Sequence, residues 1–504
     1  MNIQKRSKEF LLIVMSIGLF CVSVSAQTKY KMTTDIPASI TTPDKVETSL
    51  GTLHFVDGFP DQETVTKVYN NLDLQNGTQA FLNALPLVSI EGVRRAMASF
   101  GPVNQTVIIT EQLMNAKSLF LTANNNTPYT ILALDVKEGP LVLEIPPMVL
   151  GPIDDALFNW VSDIGITGPD KGKGGKYILL PPGYKGDIPD GYFVVRCHTY
   201  GQIMFFRTFL KEGSPVPGVE SVKKDLKVYS LSQAANPPAM NFINISGKAF
   251  NTIGPSNYSA FEFLNRVIQY EPIDVMGPDM LGLFAAIGIQ KGKTFSPDDR
   301  MKKILIDAAA IGDATSRTLA YKYRGKDAFF YPNSAWCTPF VGGSYTFEQD
   351  GVRLLDAKFF FFFYATGITP AMSMKMVGEG SAYAGAFVDS KGDPFDGKKT
   401  YKLHVPANVP AKNFWSLIVY DNQTRSMLQT DQEWPSVGSQ TKGLLKNPDG
   451  SVDVYFGPKA PAGKENNWVQ TIPGKGWNTI LRLYGPLDPW FNKTWQPGEF
   501  EVIK

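Results

Sequence analysis

From residue 106 onward the chain is written in short apolar or alternating runs, each stopped by Gly, Pro, Asn or Asp. That punctuation limits the possible folds more than any other feature. "TVIITEQLMN", "YTILALDV", "GPLVLEIPP", "KYILLPPGY", "GYFVVRCHTY" and "QIMFFRTFL" follow one another before residue 211. Runs of this length between turn residues read as antiparallel strands of a sandwich or barrel. The pattern returns from 326 with "FFFFFYATG" (359–367), "KTYKLHVP", "NFWSLIVYD", "SVDVYFGP" and "NTILRLYGP". The run Phe359–Phe363 must be buried on both faces or covered, because exposed it would be an aggregation segment. Pro448-Asp449-Gly450 between apolar stretches is a turn signal.

Two stretches carry a different period. In 62–100, Val65, Val68, Tyr69 and Leu72, then Val93, Ala96 and Met97, recur at helical spacing. In 216–325, "SNYSAFEFLNRVIQY" and "SPDDRMKKILIDAAAIGDATSRTLAYKY" look helical. For the second, Ser296 is the expected N-cap and Pro297 the first helical residue, with Asp298 and Asp299 favourable to the dipole. Met301, Ile304, Leu305, Ala308, Gly312, Thr315 and Leu319 make its apolar face. A chain of 504 residues exceeds one ordinary core. The expected organisation is mainly β with a helical connector. Residues 27–60 are an irregular N-terminal segment, and 61–215 a helical lead plus β-sandwich. Residues 216–325 are the connector and 326–504 a C-terminal β-sandwich.

Residues 1–26 read as a signal peptide. Lys5, Arg6 and Lys8 form a basic region, Phe10–Val24 an apolar run too short for a membrane span, and Val24-Ser25-Ala26 a small-residue cleavage site. Phe20 before Cys21 is too bulky for the usual lipidation box. A periplasmic or secreted location follows, with no membrane span after signal removal; an uncleaved anchor is the alternative. Removing three basic residues and Glu9 leaves a formally neutral chain. Neutrality argues against a general nucleic-acid or anionic-membrane binder. Cys197 and Cys337 remain, either as a disulfide or, in their apolar settings, as buried thiols. No Cys-x-x-Cys occurs, and His54, His198 and His404 are scattered, so no metal framework is expected.

Six stretches carry a resemblance. "GPDKGKGGKYILLPPGY", "GYFVVRCHTYG", "FWSLIVYDNQTRSMLQTDQEWPS", "DGSVDVYFGPKAP" and "GKENNWVQTIPGKGW" with "RLYGPLDPWFNKTWQPG" are similar to a bacterial two-domain family. In it, domain of unknown function 1254 precedes domain of unknown function 1214. The resemblance covers about residues 40–504 and is densest in the C-terminal third. It implies two jelly-roll-like antiparallel β-sandwich domains joined by helices, usually exported, and no established reaction or cofactor. The family pattern Asn-x-Asp-Thr-x-Tyr stands here as "NNNTPY" (124–129), with Asn126 in place of the acid. Cys197-His198 likewise departs from the family's Ser-Pro.

Candidate sites come from charge placed in apolar strands. In 192–210, Arg196, His198 and Tyr200 share one strand face, while Phe193, Val195 and Cys197 share the other. Either the polar face looks into solvent, or it lines a ligand site. If Gly201-Gln202 were a hairpin turn, Arg207 would return near Val194–Arg196. Two guanidiniums would then suit a carboxylate, phosphate or sulfate. Asp135, Glu144 or Asp155 is the alternative structural partner for such an arginine. Asn126 and Tyr129 join this mouth only by the family resemblance.

A second candidate lies near the C-terminus. Six of eight tryptophans (Trp415, Trp434, Trp468, Trp477, Trp490, Trp495) cluster there with Asp421, Arg425, Asp431, Glu433 and Glu465. Aromatic faces with acids suit a carbohydrate, and Asp421 with Glu433 or Glu465 would suit glycoside cleavage. Alternatively the tryptophans fill a core and 421–425 is a capped turn. Arg482 and Tyr484 in "ILRLY" share a face; an inward Arg482 bound to Asp421 or Asp453 would be a brace. No G-x-S-x-G, phosphate-binding or dinucleotide-binding motif is present. Three functions stay open: binding of a small anionic or carbohydrate ligand in a β-sandwich pocket, a hydrolase or lyase with an Arg/Tyr/carboxylate site, and a structural or assembly protein. Nothing in the sequence fixes an oligomeric state.

Overall fold

A computed structural model describes residues 30–503. The expected signal peptide, Cys21 included, lies outside the described residues. Two compact units meet in sequence at Tyr69/Asn70.

In the first unit, residues expected to be irregular form a three-stranded antiparallel meander. Its strands are β1 (Lys45–Thr48), β2 (Gly51–Val56) and β3 (Phe59–Pro60). The turn from β2 to β3 is Asp57-Gly58, with φ of 49° and 81°. Asp-Gly tolerates those positive values, which suit the twist of a two-residue hairpin. The helix α1 (Gln62–Ala98) then begins, and Asp61 Oδ1 accepts from Thr64 N at 2.7 Å across its start.

The second unit holds two sandwiches. Its N-terminal half contains β4 (Thr106–Ile109), β5 (Ser118–Leu119), β6 (Tyr129–Asp135), β7 (Leu141–Ile145), β8 (Leu150–Asp155), β9 (Trp160–Gly165) and β10 (Gly175–Leu180). Next come β11 (Phe193–Arg196), β12 (Gly201–Arg207), α2 (Val216–Asp225), β13 (Lys227–Ser230), β14 (Asn241–Asn244) and β15 (Phe250–Asn251). One sheet has the order β14-β4-β6-β12-β8-β9 and the other β11-β10-β7-β13. Val107, Leu132, Leu134, Met204 and Phe206 of the first meet Leu141, Leu143, Tyr177 and Leu179 of the second in one core. Most pairs are antiparallel, but β10–β11 and β4–β14 are parallel. Part of the stretch expected as a helical connector is therefore strand: β13 and β14 are edges of these sheets.

Three helices follow: α3 (Ser259–Tyr270), α4 (Pro278–Ala286) and α5 (Asp299–Tyr321). Asp298, not Ser296, caps α5, accepting from Met301 N at 2.7 Å. Its Asp side chain can reach the N3 amide from that position, so the start lies two residues later than expected. The helices α1 and α5 pack closely because small residues meet. A Cβ on Gly312 would stand 2.3 Å from Phe81, and one on Gly77 2.8 Å from the Ala308 Cβ.

After β16 (Glu348–Gln349) and β17 (Val352–Arg353), the phenylalanine run forms the helix α6 (Leu355–Tyr364) rather than the expected strand. Every residue of Phe359–Phe363 is buried. A helix apolar all round is stable only inside a core, and α6 sits in the largest one, beside α1, α3 and α5. The required burial is met, with the other backbone. A short helix, α7 (Pro370–Ser373), follows.

The C-terminal half contains β18 (Ser381–Ala386), β19 (Thr400–Val405), β20 (Ala411–Asp421), β21 (Ser436–Gly438) and β22 (Val452–Gly457). It ends with β23 (Trp468–Gln470), β24 (Trp477–Pro486), α8 (Asp488–Phe491) and β25 (Phe500–Ile503). Sheets β18-β24-β20-β21 and β23-β22-β19-β25 enclose a core of Leu403, Leu417, Val419, Val454, Phe456, Trp477, Leu481 and Leu483. The chain is thus a mainly β protein of two sandwiches with helices between them. Among the described residues no helix is long and apolar enough to cross a membrane. Cys197 and Cys337 are buried free thiols, and burial pushes both up to about 12.

Candidate functional site

One sheet of each sandwich is buried on both faces. In β24, Leu481 and Leu483 enter the C-terminal core while Ile480 and the intervening Arg482 face the other way. In β12, Met204 and Phe206 enter the N-terminal core while Ile203, Phe205 and Arg207 face away from it. Strand alternation alone dictates this division. The faces turned away line one cavity, with residues of both halves in its wall: Thr122, Tyr129, Asp163 and Arg207 from one, Ser381, Tyr383 and Arg482 from the other. Phe361 and Tyr364 of α6 add apolar wall. The cavity volume is about 70 Å³. One water needs roughly 10–15 Å³ of such space, so the room suits a few waters or a small ion.

Register assembles the polar wall. Ser381 lies opposite Tyr484 and Tyr383 opposite Arg482 across β18 and β24. Arg207 lies opposite Tyr129 across β12 and β6. The Arg482 carbon Cζ stands 5.2 Å from the Tyr383 ring centre, and that of Arg207 5.7 Å from the Tyr484 ring centre. Arg482 Nη2 donates to the Thr122 carbonyl and, at 2.8 Å, to the Tyr420 hydroxyl. Its Nε is buried without a partner, as are the Ser381 and Tyr484 hydroxyls. Thr122 presents its carbonyl from φ 44°, a conformation costing a β-branched residue about 1–3 kcal/mol. Thr122 N donates to the Arg425 carbonyl at 2.8 Å, which holds it there.

The electrostatics are unusual in that neither arginine is paired with an acid. Among the described residues neither Arg207 nor Arg482 has a carboxylate within ion-pair distance; each acid proposed as a partner is occupied elsewhere. Asp135 binds Arg94 at 3.1 Å, Glu144 binds Lys176 and Lys227 at 3.4 Å, and Asp155 accepts from Leu157 N and Asn159 N at 2.8 Å. Asp421 takes Lys475, and Asp453 takes His404 at 2.8 Å. The brace expected between Arg482 and Asp421 or Asp453 is therefore not formed. Asp163 lines the cavity, but burial raises its pKa despite hydrogen bonds from Thr369 and Trp160. Burial works against charge on Arg207 and Arg482, yet the surrounding tyrosine oxygens outweigh it and favour both cations.

The tyrosines divide. Burial pushes Tyr420 up to about 12 and also raises Tyr484. Burial raises Tyr383 too, but Arg207 and Arg482 more than offset it, and the net direction is down. Tyr129 accepts from Asn124 Nδ2 at 2.5 Å.

The other residues singled out from sequence lie elsewhere. The strand β11 pairs with β10, and β12 with β6 and β8. No hairpin joins β11 to β12, so Arg207 does not return beside Arg196. Arg196 and His198 are exposed and border an open hollow with Asp155, Trp160 and Tyr184. Tyr200 is half-buried against Tyr270, ring centres 6.1 Å apart. Asn126 is half-buried outside the arginine cavity wall, its Oδ1 unpaired. Trp415, Trp477, Trp490 and Trp495 are in the C-terminal core, so they offer no stacking platform. Arg425 is buried 4.2 Å above the Phe363 ring. Asp421 Oδ1 accepts from Gln423 N at 2.6 Å in a capped turn.

Sequence reading missed Tyr383, Ser381, Thr122, Tyr420 and Asp163. Ser381 and Tyr383 did leave a trace, since they alternate with alanines in "SAYAGA". Among the described residues no cluster of His, Cys, Asp and Glu is arranged to hold a metal.

Fold and cavity define a class: a double β-sandwich protein with a cationic, tyrosine-rich chamber between its halves. Residues 103–230 match the family described as "Protein of unknown function (DUF1254)". Residues 380–488 match "Protein of unknown function (DUF1214)". The two domains thus occur in this chain in the order of the family its sequence resembles. No curated protein matches it. Among solved structures it is similar to the VPA0106 protein from Vibrio parahaemolyticus, at 18% identity and TM-score 0.54, over 86% of this chain and all of that one. A putative uncharacterized protein from Burkholderia cenocepacia matches at 12% identity and TM-score 0.40, over 88% of this chain and 97% of that one. The first likeness supports the fold.

Proposed function

We propose that this is an exported protein that binds a small anion, a carboxylate, phosphate or sulfate, between Arg207 and Arg482. The observation behind this reading is two guanidiniums lining one cavity with no carboxylate partner, one of them keeping a buried, unused N–H. A buried cation needs a counter-charge, and guanidinium suits planar oxyanions. The small volume restricts the ligand to a few heavy atoms or to one acidic end of a larger molecule. Export rests on the basic, apolar and small-residue pattern of residues 1–26, and gives a periplasmic or secreted location. The four core tryptophans weigh against a carbohydrate.

The test is thermal unfolding in sulfate, phosphate and simple carboxylates at matched ionic strength. An anion at 100 times its Kd stabilises the fold by about 2.7 kcal/mol. Arg207→Met and Arg482→Met should each remove most of that gain. Equal shifts in wild type and both variants would leave the arginines a purely structural role.

A further inference from the structure

Tyr383 occupies a place that anion binding does not require. It is 7% exposed, and its ring lies 5.2 Å from the Arg482 Cζ. It also belongs to two walls. Phe340, Met372, Ser381 and Tyr383 line both the arginine cavity and an outer hollow that contains Lys375, Glu379 and Lys493. Tyr383 and Ser381 thus stand at the partition between the arginine cavity and the outer hollow. A group there can exchange a proton outward while touching a ligand inside.

From that placement we propose that the cavity is an acid–base catalytic site in which Tyr383 takes a proton from a carbon acid. Its substrate class is a small 2-oxo or 3-oxo carboxylate. The proposal rests on the anion-binding reading and extends it. Arg207 and Arg482 hold the carboxylate and the neighbouring carbonyl oxygen. The Tyr383 phenolate removes the proton from the carbon next to the carbonyl. The C–H bond breaks, an O–H bond forms on Tyr383, and the electron pair moves into an enolate whose oxygen faces a guanidinium. Return of the proton to the same carbon gives exchange, and to another position gives an isomer. Neither outcome consumes a co-reactant.

The groups facing Tyr383 fit this division of labour. Arg207 from β12 and Arg482 from β24 favour its ionised form. Tyr484 from the same β24 and Tyr420 from β20 are shifted the opposite way and stay neutral donors. Tyr129 from β6 keeps its hydroxyl with Asn124. Environments that push like groups apart are how one site assigns base and donors. For a protein that only binds anions, an ionisable phenol between the two cations would be a competitor.

The full chain is incubated in deuterium oxide with pyruvate, 2-oxoglutarate or acetoacetate, and deuterium entry beside the carbonyl is followed by NMR. Thermal shifts with the same acids report binding. The expected result is exchange faster than in buffer, falling on the order of 100-fold or more in Tyr383→Phe, while binding persists. An ultraviolet difference titration should show one tyrosine ionising ahead of the rest in wild type and not in the variant. Binding without faster exchange would overturn the proposal and leave the anion site standing. Neither binding nor exchange would overturn both. Exchange that survives in Tyr383→Phe would also overturn it.

Discussion

Single residues in this protein are governed by how they are buried. Asp154 is fully buried, with one oxygen accepting from Ile368 N at 3.0 Å and the other without a partner. Burial, helped by Asp155 and Asp163, raises its pKa well above the ordinary 3.8. Above pH 3.8 the unfolded chain loses this proton while the folded chain keeps it. The stability it contributes is thus present below that pH and is lost as pH rises through the folded value. Asp154→Asn keeps an acceptor for Ile368 and carries no proton to lose. Urea unfolding at a series of pH values should show the variant gaining on wild type across that window, by up to about 1.4 kcal/mol per pH unit. A variant that is less stable at neutral pH, by about 1 kcal/mol or more, contradicts this account. The same scale explains what could be read in advance. Arg207 and Arg482 announced themselves as charges inside apolar strands. Tyr383 did not, because tyrosine is ordinary in a strand and only its two arginine neighbours, distant in sequence, change its character.

At the scale of elements, α1 is fastened to the N-terminal sandwich by one guanidinium. Arg94 donates to Asp135 at the end of β6 and to Glu271 after α3, both at 3.1 Å. Glu271 is 1% exposed and also accepts from Tyr200 N at 2.6 Å and Gly201 N at 3.2 Å. Arg94→Met strands that carboxylate, and breaking such a pair costs about 3 kcal/mol. Adding Glu271→Gln should restore part of the loss in urea unfolding; an Arg94→Met midpoint equal to wild type would deny the brace. The contact of α5 with α1 makes a second prediction. Gly312→Ala forces the Phe81 ring aside and should cost about 1–3 kcal/mol as overpacking, read as a lowered melting temperature. Elements with a clean period were legible in the sequence: α1, α5, β19, β20, β22 and β24. The phenylalanine run was not, because an all-apolar run has no period, and its environment among helices decides the backbone. The strands β8 and β9 were hidden for the opposite reason. "LGPIDD" and "WVSDIG" place proline and acids in strands, and the partners of Asp154 and Asp163, Ile368 and Thr369, lie far along the chain.

Across residues 70–504 the faces that were hardest to read carry the site. Alternation showed that Ile480 and Arg482 oppose Leu481 and Leu483, but not what the first pair meets. Their face joins the core of α1, α3, α5 and α6, which also takes Ile131 and Ile203 from the other sandwich. One continuous apolar cluster therefore links both halves, and the arginine cavity is a gap within that junction. A fragment of residues 326–504 keeps its own sandwich core yet uncovers Tyr383, Ile418, Tyr420 and Ile480, none more than 7% exposed in the whole chain, together with five phenylalanines. Apolar patches of that extent associate. The fragment should aggregate or bind a hydrophobic dye, and it should lose anion binding because Arg207 is absent. The full chain should unfold residues 70–504 in one calorimetric transition. A soluble, dye-silent fragment with its own sharp transition would mean that each sandwich is stable alone. The cavity would then be a seam between independent bodies, and ligand binding would draw on their association as well as on the two guanidiniums.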